Sequence, residues 1–180
     1  AMLSPILRSQ RTRRTHTQQR GVYALEWAII FPVFFMLLYA ILCYGLTFLT
    51  RESMQHAVEE GARTALRYPL GIDSPDWSHR KTAAVNAVKS NLSWLPTNLQ
   101  PTDSTITFTV CRIDDTSCSA ATALNPKLSC DVNLPCMVYV SYAIADYNAG
   151  AIAPAIPGFG LILPAKLQAS ASILMDRRML

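Results

Sequence analysis

The sequence predicts an α+β fold, with a long N-terminal helix and a second helix packed on a small antiparallel sheet of about three or four strands. Three observations predict it. The 23 residues Trp27–Leu49 carry no charge and pass without a breaker into apolar residues spaced three and four apart. A Ser-Pro helix start at Ser74 and Pro75 precedes a second apolar stripe. After Pro101 the pattern changes to period two in three separate segments, with no helix of convincing length between them.

The uncharged run sets the environment of the first element. At about 1.5 Å per residue it covers about 35 Å, enough to cross a bilayer. A signal peptide has a shorter apolar core, about 7–15 residues, and a small-residue cut after it. Here Leu46–Thr50 leads directly into a charged helical pattern, so the run reads as a retained anchor. Beyond it, Met54, Ala57, Val58, Gly61, Ala62, Ala65 and Leu66 form one apolar face,. Glu59 and Arg63 supply an i,i+4 pair on the other face,. The spacing predicts one helix from about Val22 to Tyr68, about 70 Å long. Pro32 should bend it, and Tyr68-Pro69-Leu70-Gly71 should end it,.

In the second helix Ser74 is the expected N-cap and Pro75 the first helical residue. Trp77, Ala84, Val85, Val88 and Leu92 form its stripe, and Pro96 sets its limit. The three strands are Thr105–Cys111, Cys136–Ile144 and Leu167–Met175, rich in β-branched residues and alternating in polarity,. Without crossover helices between them, they pair antiparallel.

Charge is unevenly spread. The chain has 16 Lys and Arg against 12 Asp and Glu, for a net charge of +4. Arg8, Arg11, Arg13, Arg14 and Arg20 stand before the apolar run with no acid among them, which leaves 11 basic and 12 acidic residues for the remainder. That near-neutral remainder has no clustered basic face, which argues against nucleic acid as a partner. The five arginines put the short tail on the cytoplasmic side and the remainder outside. The expected divisions are a basic cytoplasmic leader at 1–21, a transmembrane half-helix at 22–50, and an extracytoplasmic α+β domain at 51–180.

Cys111, Cys118, Cys130 and Cys136 all fall in the exported part, where an oxidising compartment favours two disulfides,. Three pairings are open. Metal binding is the competing reading, but the spacings C-x6-C and C-x5-C are not those of paired C-x2-C ligands,. Cys43 sits within the apolar run as a small apolar residue.

Catalytic patterns are not evident. There is no nucleophile elbow and no phosphate-binding loop. His16, His56 and His79 are far apart and lack ligand spacing, His56 and His79 read as solvated residues on helices, and Asp114-Asp115 reads as a turn, not a calcium loop,. Asn91-Leu92-Ser93 matches a glycosylation sequon, a short pattern that often arises by chance. No metal, cofactor or enzyme activity is expected. The Ala/Pro/Gly-rich stretch 149–164, with Ile156, Phe159, Leu161 and Ile162, is interrupted by prolines and cannot be a second span,. It reads either as a loop folded on the domain's own core or as an exposed patch for a neighbouring subunit or the bilayer.

Glu26 raises the sharpest question, because a carboxylate within a membrane segment costs about 2.5–3.5 kcal/mol at the helix centre and less near the interface. One reading has it snorkel to the headgroups and pair with Arg20. The other begins with a cut between Gly21 and Val22. That cut creates an α-amino group, with an ordinary pKa of about 8, roughly one helical turn from Glu26. In a stack of helices, the amine of one subunit neutralises the carboxylate of the next, so the charge is paired only in the correct register.

The stretch Arg20-Gly21-Val22-Tyr23-Ala24-Leu25-Glu26-Trp27-Ala28, followed by Pro32, resembles the head of a type IV pilin or pseudopilin. It is similar to the TadE/TadF-like group of tight-adherence (Flp) pilus proteins. Residues 51–67 look like the amphipathic helix of that family, and Leu167–Met175 fits its strand-rich end. Trp27 stands where the family often has Phe, and the four exported cysteines are not a family-wide feature. The resemblance implies a non-enzymatic minor pilin cut after Gly21 by a prepilin peptidase, with N-methylation of Val22 and an assembly role for Glu26. It implies other pilins, membrane lipid and the inner-membrane pilus assembly platform as partners. The location it implies is the bacterial inner membrane, single-pass, or a surface pilus. The alternative is an unprocessed, anchored extracytoplasmic binding or sensor module. An anchored thiol oxidoreductase would need a C-x-x-C-type pair, which is missing.

Overall fold

The computed structural model describes residues 19–67, 76–115, 123–131, 133–150, 152 and 163–175. They form α1 (Gln19–Leu66), α2 (Trp77–Asn91), a 3-10 turn (Thr97–Leu99), β1 (Ile106–Arg112), β2 (Cys136–Ile144), the single turn α3 (Tyr147–Gly150) and β3 (Leu167–Met175). The fold is α+β, as the patterning predicts. The chain divides into two compact units, residues 1–42 and 43–180.

In the first unit the described residues are all helical, and 21–38 are all exposed. Large apolar side chains point outward along this stretch, Leu25 at 65% and Trp27 at 66% exposure among them. Phe35 packs on Phe31 with ring centroids 4.5 Å apart and meets Phe34 edge-on at 5.8 Å. In water such a surface would be untenable; in hydrocarbon it needs no further cover.

The second unit holds the core. The three strands pair in sequence order, β1-β2-β3, both pairs antiparallel. Ile106 faces Tyr142 and Arg112 faces Cys136 across the first pair; Ile144 faces Leu167 and Cys136 faces Met175 across the second. β3 keeps the alternation best: Leu167, Ala169 and Ala171 are buried while Gln168, Ser170 and Ser172 are exposed. The inward side chains of the sheet share one core with Met54, Ala57, Val58, Ala62 and Ala65 of α1 and with the predicted stripe of α2. The three-and-four spacing puts these α1 residues on one face, and burying that face stabilises this half of the helix more than intrinsic propensity does.

At Gly61 α1 comes close to its neighbours. A Cβ built there would lie 2.6 Å from Val88 Cγ2 and 3.2 Å from the Ala84 carbonyl oxygen, both on α2. It would also stand 3.8 Å from Val140 Cγ1 on β2. The missing side chain lets the helix backbones approach and seat together against the central strand.

Buried polar groups are satisfied locally. Thr50, fully buried, donates its hydroxyl to the Leu46 carbonyl at 2.8 Å. Arg80 is 4% exposed; its Nη1 donates to the Ala65 and Leu66 carbonyls at 2.8 and 3.2 Å, and its guanidinium lies 5.5 Å from the Trp77 ring. A cation at the C-terminal carbonyls of α1 meets both their free acceptors and the negative end of the helix dipole. Tyr142 donates to the Leu99 carbonyl at 2.6 Å. Burial of its ring pushes the Tyr142 hydroxyl up to about 12.

Two local expectations change. The N-cap of α2 is Asp76, whose Oδ1 accepts the Ser78 and His79 backbone N–H groups, each at 3.1 Å. Ser74 and Pro75 lie outside the described residues. The Ser78 hydroxyl, the His79 N–H and His79 Nδ1, 2.9 Å away, hold the Asp76 carboxyl below its ordinary value of 3.8. Glu59 is engaged by Gln55 Nε2 at 3.0 Å, not by Arg63, while Glu60 stands 4.0 Å from Arg67. Gln55 Nε2 also donates to the Ser170 carbonyl at 3.1 Å, so this side chain ties α1 to β3 and brings its amide against Glu59.

Candidate functional site

The candidate site is the head of α1. Gly21, Val22 and Glu26 lie on helix, and all three are exposed. Glu26 has no ion-pair partner among the described residues. Arg20 is helical as well; Arg8, Arg11, Arg13 and Arg14 lie outside the described residues. A Cβ built at Gly21 meets nothing within 4 Å, and the same is true of Gly45. Glycine in a helix interior costs about 0.5–1 kcal/mol relative to alanine. At Gly61 the close approach to α2 accounts for that cost; at Gly21 no contact among the described residues does.

From Gly21 the apolar segment continues as one helix with mean hydropathy 2.4 in its most apolar window, of which 6% is buried. This is the composition and length of a single membrane-spanning helix. Glu26 falls near its start, which is the less costly depth for a carboxylate. Pro32 lies within the helix and Cys43 is a buried free thiol.

Residues 21–63 match the family model described as TadE-like protein. The chain is TadE-like over this helix. The likeness is confined to these residues, less than half of the chain. The match starts at Gly21, takes in Glu26 and the whole uncharged run, and reaches past Gly61 into the part of α1 that packs in the core. No curated protein and no solved structure matches the chain.

Two of the cysteines expected to form disulfides are joined to each other. Cys130 and Cys136 form a disulfide that closes a short loop onto the first residue of β2. Asp131 and Leu134 exchange backbone hydrogen bonds at 3.1 Å within that loop, and Ile113 N–H donates to the Pro135 carbonyl at 3.0 Å. Cys111 is disulfide-bonded as well, and Cys118 lies outside the described residues. Among the described residues no three His, Cys, Asp or Glu side chains converge as a metal site. Ile156, Phe159, Leu161 and Ile162 lie outside the described residues. His56 and His79 are exposed.

Two residues that matter to the fold were invisible to pattern reading. Arg80 sits in a helix whose other charges are solvated, and only its partners on α1 reveal its role. Tyr147, 1% exposed, donates its hydroxyl to Thr47 at 3.4 Å and its N–H to the Ala165 carbonyl at 2.9 Å. A Tyr followed by Asn, Ala and Gly gives no helical period long enough to read.

Proposed function

We propose that the chain is a minor pilin, or pseudopilin, of a tight-adherence (Flp-type) pilus, processed by a prepilin peptidase between Gly21 and Val22. The observation that carries the reading is the TadE-like match over 21–63, which opens at Gly21 with Glu26 five residues on. The open surroundings of Gly21 support it, since an outside agent that needs a small residue accounts for a glycine that nothing among the described residues requires.

After the cut, Val22 bears the new α-amino group, a substrate for N-methylation, and Glu26 lies about one turn away. An exposed carboxylate in an apolar helix finds its counter-charge on the next subunit, and misregistered packing leaves both charges unpaired in hydrocarbon. Residues 1–21 act as a cytoplasmic leader oriented by its arginines, 22–50 as the membrane half of the helix, and 51–180 as a periplasmic domain. The Cys130–Cys136 disulfide suits an oxidising compartment,. The protein primes or caps the filament, or links it to the inner-membrane assembly platform, through contacts with other pilins and without catalysis. If 149–164 lies on the surface, Ile156, Phe159, Leu161 and Ile162 add an apolar subunit contact.

The test is the intact mass of the protein from membranes of cells with and without the prepilin peptidase. A peptidase-dependent loss of residues 1–21, abolished by Gly21→Leu, is the expected result. An unchanged mass in the presence of the peptidase refutes processing and leaves an anchored binding or sensor module.

A further inference from the structure

A cleft of about 400 Å³ lies where the apolar run ends, between Tyr44, Phe48 and Arg51 of α1, Lys166 just before β3 and Gln168 within it. Arg51 and Lys166 are exposed, and among the described residues neither makes an ion pair and no carboxylate lines the cleft. Phe48 is 65% exposed, and its neighbour Leu49 is the last apolar residue before Arg51. One and two turns on from Phe48 along α1, Glu52 and His56 share a second cleft with the exposed Trp94,.

Aromatic rings and long cationic side chains at the end of a membrane helix are the groups that settle at the headgroup layer. Here they form one concave wall with two unneutralised cations beside apolar surface. A soluble anion would use the cations and leave Phe48 and Tyr44 in water. A phospholipid uses both, with its phosphate on Arg51 and Lys166 and the start of its acyl chains along Phe48 toward the uncharged run. We propose that this cleft binds the headgroup of an anionic phospholipid and seats the domain on the bilayer. The inference rests on the membrane-spanning reading of α1.

The experiment is native mass spectrometry of the full chain in detergent, offered phosphatidylglycerol and phosphatidylcholine in equal amounts. The wild type retains phosphatidylglycerol preferentially. In R51Q/K166Q the preference falls roughly thirtyfold, about fivefold for each cation removed at an anionic surface, and R51K/K166R keeps it. Both positions are exposed, and an intact Cys130–Cys136 disulfide by alkylation verifies that each variant is folded. Equal retention of the two lipids, an unchanged preference in R51Q/K166Q, or displacement of phosphatidylglycerol by millimolar inorganic phosphate overturns the inference. Alkaline carbonate extraction of membranes separates the two failures. Release of the chain from the pellet refutes both the spanning helix and the lipid site, whereas a chain that stays in the pellet without lipid preference refutes the lipid site alone.

Discussion

Gly61→Ala tests the packing of α1 against α2 and the sheet. The added Cβ lies 2.6 Å from Val88 Cγ2, whereas carbon atoms in contact sit about 3.5–4.0 Å apart,. The neighbour therefore has to yield by about 1 Å. Val88 is fully buried and stiff at χ1, and the second close atom, the Ala84 carbonyl oxygen at 3.2 Å, belongs to backbone,. Relief thus requires the helices to separate. Overpacking of this kind costs about 1–3 kcal/mol, while removing a helical glycine returns about 0.5–1 kcal/mol. The expected net loss is about 1–2 kcal/mol, which lowers the melting temperature by roughly 4 °C per kcal/mol in a domain of this size. Thermal unfolding of the full chain in detergent, followed by near-UV circular dichroism, measures it. Val88→Ala removes the clashing methyl, so a double-mutant cycle should show a favourable coupling of about 1 kcal/mol or more. A Gly61→Ala variant that gains stability by the propensity difference, or a cycle that is additive, would refute the close approach.

Arg80→Ala strips the α1 carboxy-terminal carbonyls of a buried charged donor and should cost about 2–4 kcal/mol in the same unfolding assay, with Arg80→Lys recovering part of the loss. Tyr142→Phe leaves the Leu99 carbonyl without its donor, at a cost of about 1–2 kcal/mol. Because the folded-state pKa of Tyr142 is raised to about 12, wild-type stability should be intact below pH 10 and decline as pH rises toward 12, a loss that Tyr142→Phe reduces in an alkaline unfolding titration,. The depressed Asp76 carboxyl acts in the opposite direction. Its capping contribution is present above its ordinary 3.8 and disappears as pH falls through the lower folded value, so Asp76→Asn should flatten the acid limb of an unfolding profile,. Replacing Cys130 and Cys136 together with Ala opens a short loop and should lower stability by about 2 kcal/mol, read by denaturant midpoint.

The parts of the fold legible in the sequence are those where a period repeats. β2 and β3 begin and end where alternation does, and the predicted stripe of α2 is buried at every position. β1 sits one residue later than its alternation suggests, and Thr109 and Cys111 are buried alongside Phe108 and Val110, so its polar positions are not solvated. Single-residue effects were not legible. Ser74 and Asp76 are both good capping residues, and only the carboxylate's distance to the Ser78 and His79 amides chooses between them,. Gly61 reads as one small member of an apolar face until Val88 and Ala84 are seen beside it. At the candidate site the order reverses. Gly21 and Glu26 stand out in the sequence because they violate the pattern around them, and no contact among the described residues explains them. Departures of this kind from the local pattern are expected at functional or strained sites.

The strand order β1-β2-β3 has a consequence for biogenesis. Each strand pairs with the one before it in the chain, so the sheet extends from one side as polypeptide emerges, whether from a ribosome or across a bilayer, and no strand has to be inserted between two that are already joined,. The last to arrive is β3, and until Leu167–Met175 is delivered the far side of β2 offers a nine-residue row of unpaired backbone to any other extended chain,. Gln55, placed early in α1, waits through that whole interval for its Ser170 partner. A nascent chain stalled before Leu167 is thus a species with its longest sheet edge open and its helix partly docked, the stage at which a holding chaperone would have most to protect.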